Sequence, residues 1–337
     1  MPTMALDAAA LEKLVSAAVA APSIHNSQPW RFRLRPETST LEVHAVRERA
    51  LPSADPEGRA LHISVGAAVR NLCTAASYLG RDPEVRLLPD PGEPDLLAVI
   101  ELDRPSPVAA SARTAELFAA IWRRHSARTP FTGPPVPPAV LDELAEAARA
   151  QDVQLHFPAG EERDRLLHLT AEAERRSTTD PERSAESRSW IQGPGAPPYG
   201  IPATALGPQD SAGRMPMRDY SAIHPAEHLP AAAFETEPCI AVLATAYDRP
   251  VDWLRAGTAL EDVLLLATVH RIRASLLDQA MEWPYLRWEA RDPRQGPGFV
   301  QLLIRLGYGA EGAATPRLSV ADVLDTGPDR PRPAGAS

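Results

Sequence analysis

The stretch Ala21-Pro22-Ser23-Ile24-His25-Asn26-Ser27-Gln28-Pro29-Trp30 decides how this chain is read. Two prolines fix the backbone around a run of amides and hydroxyls, so the segment is a rigid turn between one element that has ended and another about to begin. Ser23, Asn26 and Gln28 offer donors and acceptors together, the complement that the edge of a flat heterocycle with alternating carbonyl and N–H groups requires. The same groups could equally cap a helix end and solvate a loop. Upstream, Leu11, Leu14, Val15, Ala18 and Val19 recur at helical spacing and predict an amphipathic helix over 5–21, closed by Pro22. Downstream, Trp30 to Leu34 and Leu41 to Val46 read as strands. Ile63 to Leu79 reads as a small-residue-rich helix that is apolar almost all round and therefore buried. Leu96 to Leu102 has strand length, and Pro105 to Pro107 closes a first half.

The second half opens with a helix from Thr114 to Arg124 and turns through Pro130 to Pro138. A helix from Ala139 to Ala150, a strand from Val153 to Phe157 and a charged helix over 161–176 follow. Nine prolines between Pro181 and Pro230 then form a connection too long and irregular for a simple loop, hence a lid or a disordered stretch. A strand from Cys239 to Ala246, a buried helix from Gly257 to Leu277 and a strand from Phe299 to Leu306 complete the pattern, and the tail after Asp325 is expected to fray. Helix Gly66 to Gly80 matches Gly257 to Arg271 in length, opening glycine and alanine-rich face, and the order helix, strand, buried helix, strand occurs twice. That order suggests a duplication, although residue identity between the copies is low enough for two similar α+β halves to coincide.

Composition bounds the function. With 337 residues, 44 % hydrophobic and 23 % charged, the chain is globular and holds about two domains' worth of core. Its net charge of −9 repels nucleic acid and anionic lipid, so an anionic partner must be met by local cations. Only Cys73 and Cys239 are present, which excludes a disulfide framework and any cysteine-rich metal site, and makes a reducing cytoplasm the expected compartment. The longest apolar run, Val263 to Val269, is far short of the roughly 20 residues that span a bilayer, so no membrane segment is expected. Ala17 to Ala21 reads as helix and not as a secretion signal, because Asp7, Glu12 and Lys13 precede it in place of a basic leader.

The string PSIHNSQPW closely resembles the PSxxNxQPW signature of the FMN-dependent nitroreductase family. A second string, Arg124-His125-Ser126-Ala127-Arg128-Thr129-Pro130-Phe131, resembles the arginine-serine-arginine motif with which that family holds the FMN phosphate. A phosphate dianion in a net-acidic protein wants guanidinium forks and a hydroxyl at short range. Taken alone, that string also reads as a basic helix end complementing the helix dipole. In ordinary members both signatures lie in one short chain, and two chains exchange them. Here the first half carries the amide loop without the arginine-serine pair, and the second half carries the pair without a second PSxxNxQPW. A fused pseudo-dimer retaining one of its two flavin sites would leave this pattern. That layout, and the ending Arg305-Leu306-Gly307-Tyr308-Gly309 followed by Thr315-Pro316-Arg317, are similar to the Acg-type branch of the family over nearly the whole chain.

The resemblance implies an α+β, duplicated nitroreductase-like fold with mixed and antiparallel sheets flanked by helices. One half would occupy 1–110 with the amide loop at 21–30. The other would occupy 111–330 with the phosphate motif at 124–131 and a proline-rich lid at 177–230. It assigns FMN binding to Arg124, His125, Ser126, Arg128 and Arg317 at the phosphate, and to Pro22, Ser23, Ile24 and Asn26 against the isoalloxazine, with Gln28 as a brace. Met281, Glu282 and Trp283 stand where the family carries a proline-x-glutamate-glycine turn whose backbone N–H points at flavin N5, although Trp283 replaces a small residue there and Pro284 follows. A tryptophan packed in the core is the alternative for Trp283. No side chain is singled out as catalytic and no metal is expected. Within the lid, Trp190, Tyr199, Met215, Met217 and Tyr220 are apolar anchors that could cover the flavin, and Pro198-Tyr199-Gly200-Ile201-Pro202 lacks the acidic residue usual before Gly-Ile-Pro.

Three other matches fail. Gly307, Gly309 and Gly312 spell GxGxxG after a strand, but Pro316 interrupts the short remainder and no βαβ unit can follow. His224 and His228 are spaced to chelate a metal yet have no evident third ligand. Ser23 and His25 lack a third partner and a nucleophile elbow. The expected function is an FMN-dependent oxidoreductase with one FMN per chain. Hydride would pass through N5, with NAD(P)H as the reductant and a nitroaromatic, quinone or other conjugated organic molecule as acceptor, or with an organic substrate oxidised and O2 as final acceptor. The alternatives are an FMN storage protein with a closed lid, or a cofactor-free relic acting through protein contacts. Expected partners are small organic molecules, without nucleic acid or membrane, in a monomer that is an internal pseudo-dimer or in a weak homodimer.

Overall fold

The structure, a computed structural model, describes residues 6–107, 109–193, 195–220, 230–292, 294 and 298–325. Helix α1 (Ala8–Val19) starts at Asp7, whose side chain accepts from the Ala10 N–H at 2.7 Å, and buries the face bearing Leu11, Leu14, Val15 and Ala18. A short turn over Ile24–Asn26 leads into β1 (Trp30–Arg35) and β2 (Thr40–Ala45). Helix α2 (Arg59–Tyr78), β3 (Glu84–Leu87) and β4 (Leu96–Glu101) follow. The four strands form an antiparallel sheet in the order β1-β2-β4-β3.

The chain continues through α3 (Ala112–Arg123), α4 (Pro138–Arg149), β5 (Val153–His156), α5 (Gly160–Thr179) and α6 (Pro181–Ser189). Two pairs of two-residue parallel strands, β6 (Ile191–Gln192) with β7 (Ile201–Pro202) and β8 (Gln209–Asp210) with β9 (Ala231–Ala232), tie down the described part of the proline-rich segment. Next come β10 (Cys239–Thr245), α7 (Pro250–Val269), β11 (Arg273–Leu277), α8 (Pro284–Glu289) and β12 (Phe299–Gly307). The second sheet is ordered β5-β10-β12-β11 and is also antiparallel, so its strands follow one another as those of the first sheet do. In both, the long helix lies between the second and third strands of the set. The final segment leaves β12, forms α9 (Val320–Val323) and adds β13 (Leu324–Asp325) parallel to β1 on the edge of the first sheet. The architecture is the expected α+β one.

Helices α2 and α7 cross at Gly66 and Gly257. A Cβ on Gly66 would stand 2.1 Å from the Leu254 carbonyl oxygen, and one on Gly257 would stand 2.0 Å from that of Ile63, so each glycine admits the other helix's backbone. Leu254 and Leu265 of α7 accordingly enter the core under the first sheet with Leu14, Trp30, Phe32 and Leu72. Leu260, Val263 and Leu264 fill the core under the second with Leu144, Leu302 and Ile304. The helix expected from Gly257 to Leu277 is in fact two elements: α7 stops at Val269, Arg271 turns the chain at φ 60°, and Arg273–Leu277 is an interior-facing strand. Two other boundaries shift. Ala120 and Ile121 of α3, and Leu318 and Val323 near the C-terminus, pack with the first sheet's core although their sequence positions fall in the second half. The fraying expected after Asp325 concerns residues outside those described, as do His224 and His228.

Candidate functional site

A cleft of about 1150 Å³, counting its open mouth, is lined by α2, α7, β12, the proline-rich segment and four further segments. The four are the loop after α1, the segment after α3, the end of β11 and the strand-to-strand passage from β12 to β13. Pro22, Ser23, Ile24 and Asn26 line it from the first string, and Arg124, His125, Ser126, Arg128 and Arg317 line it from the second string and the C-terminal passage. Nine residues singled out from the two strings and the C-terminal passage therefore share one space.

The amide loop is strained and heavily tied. His25, Asn26 and Gln28 hold left-handed backbone at φ 48°, 54° and 50°, a conformation that costs a non-glycine residue about 1–3 kcal/mol unless its surroundings fix it. The ties are specific. Ile24 N–H donates to Ser64 Oγ at 3.2 Å and Gln28 N–H to Ser23 Oγ at 2.9 Å, while Asn26 Nδ2 donates to the Gly200 carbonyl at 2.8 Å and to that of Pro316 at 3.0 Å. Gln28 lies behind the loop, fully buried. It donates to the Pro198 carbonyl at 2.9 Å and accepts from Leu318 N–H at 2.9 Å, so it links the loop to two distant segments without lining the cleft.

In the second string, Ala127 N–H donates to the Ala274 carbonyl at 2.8 Å, which pins the arginine-serine string to β11. Gly312 lies so close that a Cβ there would be 2.3 Å from the Ser126 carbonyl oxygen. Arg128 donates to the Ala205 carbonyl at 3.0 Å, and Arg124 to that of Ala20 at 3.0 Å. Arg317 donates to Asn26 Oδ1 at 2.8 Å and Thr315 Oγ1 at 2.6 Å. Burial, then the charge of Arg124, push the Arg317 guanidinium down to about 9, and burial with Arg124 and Arg317 also lowers His125. The Nε atoms of Arg124 and Arg317 are buried without a hydrogen-bond partner. A dianion set between them would meet unused donors and relieve the repulsion of two buried cations, so this part of the cleft fits a phosphate.

Met281, Glu282 and Trp283 do not line the cleft. Their turn points into a third core cluster, where Met281 packs with Leu303, Glu282 meets Arg218, and the Trp283 indole donates to Ser177 Oγ at 3.2 Å beneath Arg183. Leu276, Leu277, Asp278 and Gln279, just before that turn, face the cleft in their place. Of the anchors expected in the proline-rich segment, Met217 and Tyr220 line the cleft. Met215 packs in the third core, and Trp190 and Tyr199 lie against each other at 5.9 Å.

Several cleft residues carry no motif. Arg59 donates to the Gln301 carbonyl at 2.6 Å and is pushed down to about 10 by burial. Arg218 bonds Asp278 at 3.0 Å and also Glu282; burial would lower it, but Glu282 and Asp278 outweigh burial and hold it well above the ordinary value. Burial lifts Glu282 to about 8 despite Arg218. His25 is lowered to about 3 by burial and Arg218, its Nε2 has no partner, and its ring meets that of Tyr220 edge-on at 5.9 Å. Just beneath, Glu261 of α7 is completely buried 3.4 Å from Arg124 Nε. The adjacent acidic pair Glu261-Asp262 in the buried middle of α7 is a sequence signal that could have pointed to it. Among the described residues no cluster of metal-ligating side chains occurs and no helix is long and apolar enough to cross a membrane.

Comparison with known proteins gives the chain relatives. A candidate NAD(P)H nitroreductase of Mycobacterium tuberculosis is 31 % identical over 327 residues, covering 95 % of this chain and 92 % of that protein. The candidate NAD(P)H nitroreductase Acg of the same organism is 28 % identical over 330 residues, 96 % of this chain and 98 % of Acg. A Desulfitobacterium hafniense nitroreductase solved with bound FMN aligns at 17 % identity and a TM-score of 0.40, over 63 % of this chain and 98 % of that one. No family model matches the chain.

Proposed function

Because the chain belongs to the NAD(P)H nitroreductase family that includes Acg, we propose that its cleft holds one FMN and that the protein is an FMN-dependent oxidoreductase. One observation carries this reading: the two signature strings, about a hundred residues apart, wall a single cleft, and Arg317 of the C-terminal passage, on the same cleft, donates to Asn26 of the first string. FMN, when bound, supplies the hydride chemistry at N5. Arg124, Ser126, Arg128 and Arg317 hold the phosphate by charge-assisted hydrogen bonds, with His125 beside them. Pro22, Ser23, Ile24 and Asn26 lie against the ring, with Gln28 bracing them from behind. The strain of that loop is offset by its ties to Ser64, Gly200 and Pro316, so its polar atoms are positioned in advance of binding. Met281, Glu282 and Trp283 would act only from beneath, through the network around Arg218. NAD(P)H is the reductant, and the acceptor is a nitroaromatic, a quinone or another conjugated organic molecule small enough to lie between the ring and Met217 or Tyr220.

One site per chain follows from how the two halves are read. Taken as an internal pseudo-dimer, with residues 1–110 and 111–330 as its two halves and 177–230 as a lid, the chain has its pseudo-dyad at the Gly66–Gly257 crossing. Four and five residues after those glycines stand Arg70 and Asn71 on α2, and Glu261 and Asp262 on α7. On the cleft side Glu261 faces Arg124, whereas on the other side Arg70 closes on Asp262 at 2.5 Å and Gln151 bonds Asp262 at 3.0 Å. The first arrangement leaves cations for a phosphate; the second neutralises its own.

The position of Met217, Arg218 and Tyr220 on the cleft favours a second reading, in which the proline-rich segment closes over FMN and the protein stores it. Anaerobic mixing of the FMN-loaded protein with NADPH or NADH separates the two. Bleaching of the flavin absorbance within seconds is the expected result; an unchanged spectrum with FMN retained selects storage, and protein that takes up no FMN overturns both.

A further inference from the structure

We propose that Glu261 is a proton-accepting counterion beneath the phosphate clamp: its carboxylate balances Arg124 and Arg317 when no anion is bound, and it takes up one proton when a phosphate dianion enters. The inference rests on the flavin reading above. It concerns what the protein itself must do to receive the charge.

The geometry forces the issue. Glu261 is 0 % exposed, both its carboxylate oxygens lack a hydrogen-bond partner, and its Oε1 lies 3.4 Å from Arg124 Nε, which is itself unpartnered. It cannot swing away to water, because α7 is locked against α2 at the two glycines only one helical turn earlier. The groups facing it come from three directions. The end of α3 supplies Arg124, the C-terminal passage supplies Arg317, and α2 supplies the neutral Asn71; the neighbouring Asp262 is already paired with Arg70. His125 lies beyond the two arginines, and α4 packs Leu144 and Ala148 on α7, its Glu143 meeting His270 nine residues farther along. Burial lifts this carboxyl to about 7 against the pull of Arg124, then the Asn71 side chain and Arg317, so its ionised form depends mainly on the cations beside it. A phosphate dianion on the same guanidiniums supplies the negative charge they need and adds like-charge repulsion on Glu261. The carboxylate then accepts a proton from solvent; no other bond is made or broken.

Isothermal titration calorimetry of FMN into the apoprotein at pH 7.5, in three non-phosphate buffers of different ionisation enthalpy, reads the proton directly. That pH lies above the phosphate's own second pKa of about 6, so the ligand contributes little. Wild-type protein is expected to take up more than about half a proton per FMN. Glu261→Gln should take up almost none while still binding FMN, and His125→Gln should keep the uptake. Riboflavin, which lacks the phosphate, should give none. In step with this, wild-type affinity for FMN should fall several-fold between pH 6.5 and 8, a window in which Arg317 stays charged, and that of Glu261→Gln should not. FMN binding with buffer-independent heat, or uptake that survives in Glu261→Gln, overturns the proposal. Failure of FMN to bind wild-type protein at any pH overturns the flavin reading beneath it.

Discussion

Arg317 and Asn26 stand 291 positions apart in the chain and 2.8 Å apart in the fold, with Nη1 of the arginine donating to Oδ1 of the asparagine. The bond ties the C-terminal passage to the amide loop beside the cleft. Asn26 also donates to the Gly200 and Pro316 carbonyls, so one side chain ties the amide loop to both the proline-rich segment and the C-terminal passage. Replacing Asn26 by Ala should raise the FMN dissociation constant roughly tenfold, the worth of about 1.4 kcal/mol. Flavin fluorescence titration measures it, and unchanged affinity would remove Asn26 from the site.

Arg124→Ala and Arg128→Ala should each weaken FMN binding by ~1.5–3 kcal/mol, the value of a hydrogen bond to a charged group. Riboflavin binding should change much less, because the loss is at the phosphate. A double variant that still copurifies with full FMN would refute the phosphate assignment.

Glu261 and Glu282 should each make the apoprotein lose stability as pH rises from about 4.5, against His25, which is lowered to about 3 and adds stability up to about pH 6.5. Glu261 and Glu282 have folded pKa values raised to about 7 and about 8, so over that window the unfolded chain releases protons that the native state retains. With fewer protons bound in the unfolded state, the unfolding free energy declines with pH up to the folded pKa and then levels off. Urea unfolding at pH 5.5 and pH 8 measures the slope. Glu261→Gln should reduce the difference between those two pH values by about 2 kcal/mol, at about 1.36 kcal/mol per pH unit between 5.5 and its folded pKa, and an unaltered slope would show that Glu261 ionises normally.

Gly66→Ala should destabilise the fold by about 3 kcal/mol or more, because the added methyl meets a backbone carbonyl that cannot rotate away. Gly257→Ala should do the same. Thermal unfolding reads both, and a variant as stable as the parent would mean that the helices can separate freely at the crossing.

Arg218→Ala strips the cation from Asp278 and Glu282, both beside or beneath the cleft. Removing one partner of a buried ion pair costs about 3–5 kcal/mol. Arg218→Lys should recover part of the loss. If the arginine-to-alanine protein unfolds at the parental urea concentration, the network is not structural.

Much of this molecule was legible in its residues. The periodicity of α1 and the all-round apolarity of α2 reflect one-sided and complete burial, and both helices lie within a few residues of their expected limits. Strand β11 was hidden because Ile272 to Leu277 continues the apolar run of α7 without proline or glycine, and only the left-handed Arg271 breaks the helix. Strand β3, Glu-Val-Arg-Leu, is an exposed edge with almost no apolar face to betray it. Helix α6 was lost among prolines because its residues are nearly all polar, its start being fixed by the Asp180 side chain accepting from Glu182 and Arg183 N–H groups. In the site, the two motif strings carried their own signal. Arg59, Arg218, Asp278 and Gln279 did not, because their places follow from how helices and strands pack and not from neighbours in sequence. The turn at Met281 to Trp283 follows the cleft-lining segment, whose last cleft residue is Gln279, and from Ala280 onward the chain packs into the third core.

The route taken by the last residues has a consequence for biosynthesis. After β12 the chain contributes Thr315 and Arg317 to the cleft and then pairs with β1 through β13. On a translating ribosome, the amide loop and the arginine-serine string emerge long before this passage. A nascent polypeptide therefore possesses most of a nucleotide pocket but not its latch, and cofactor acquired early could still leave. Firm loading must wait until Arg317 has been made, and a chain cut between β12 and Thr315 should keep the strands of its second sheet yet fail to retain a ligand.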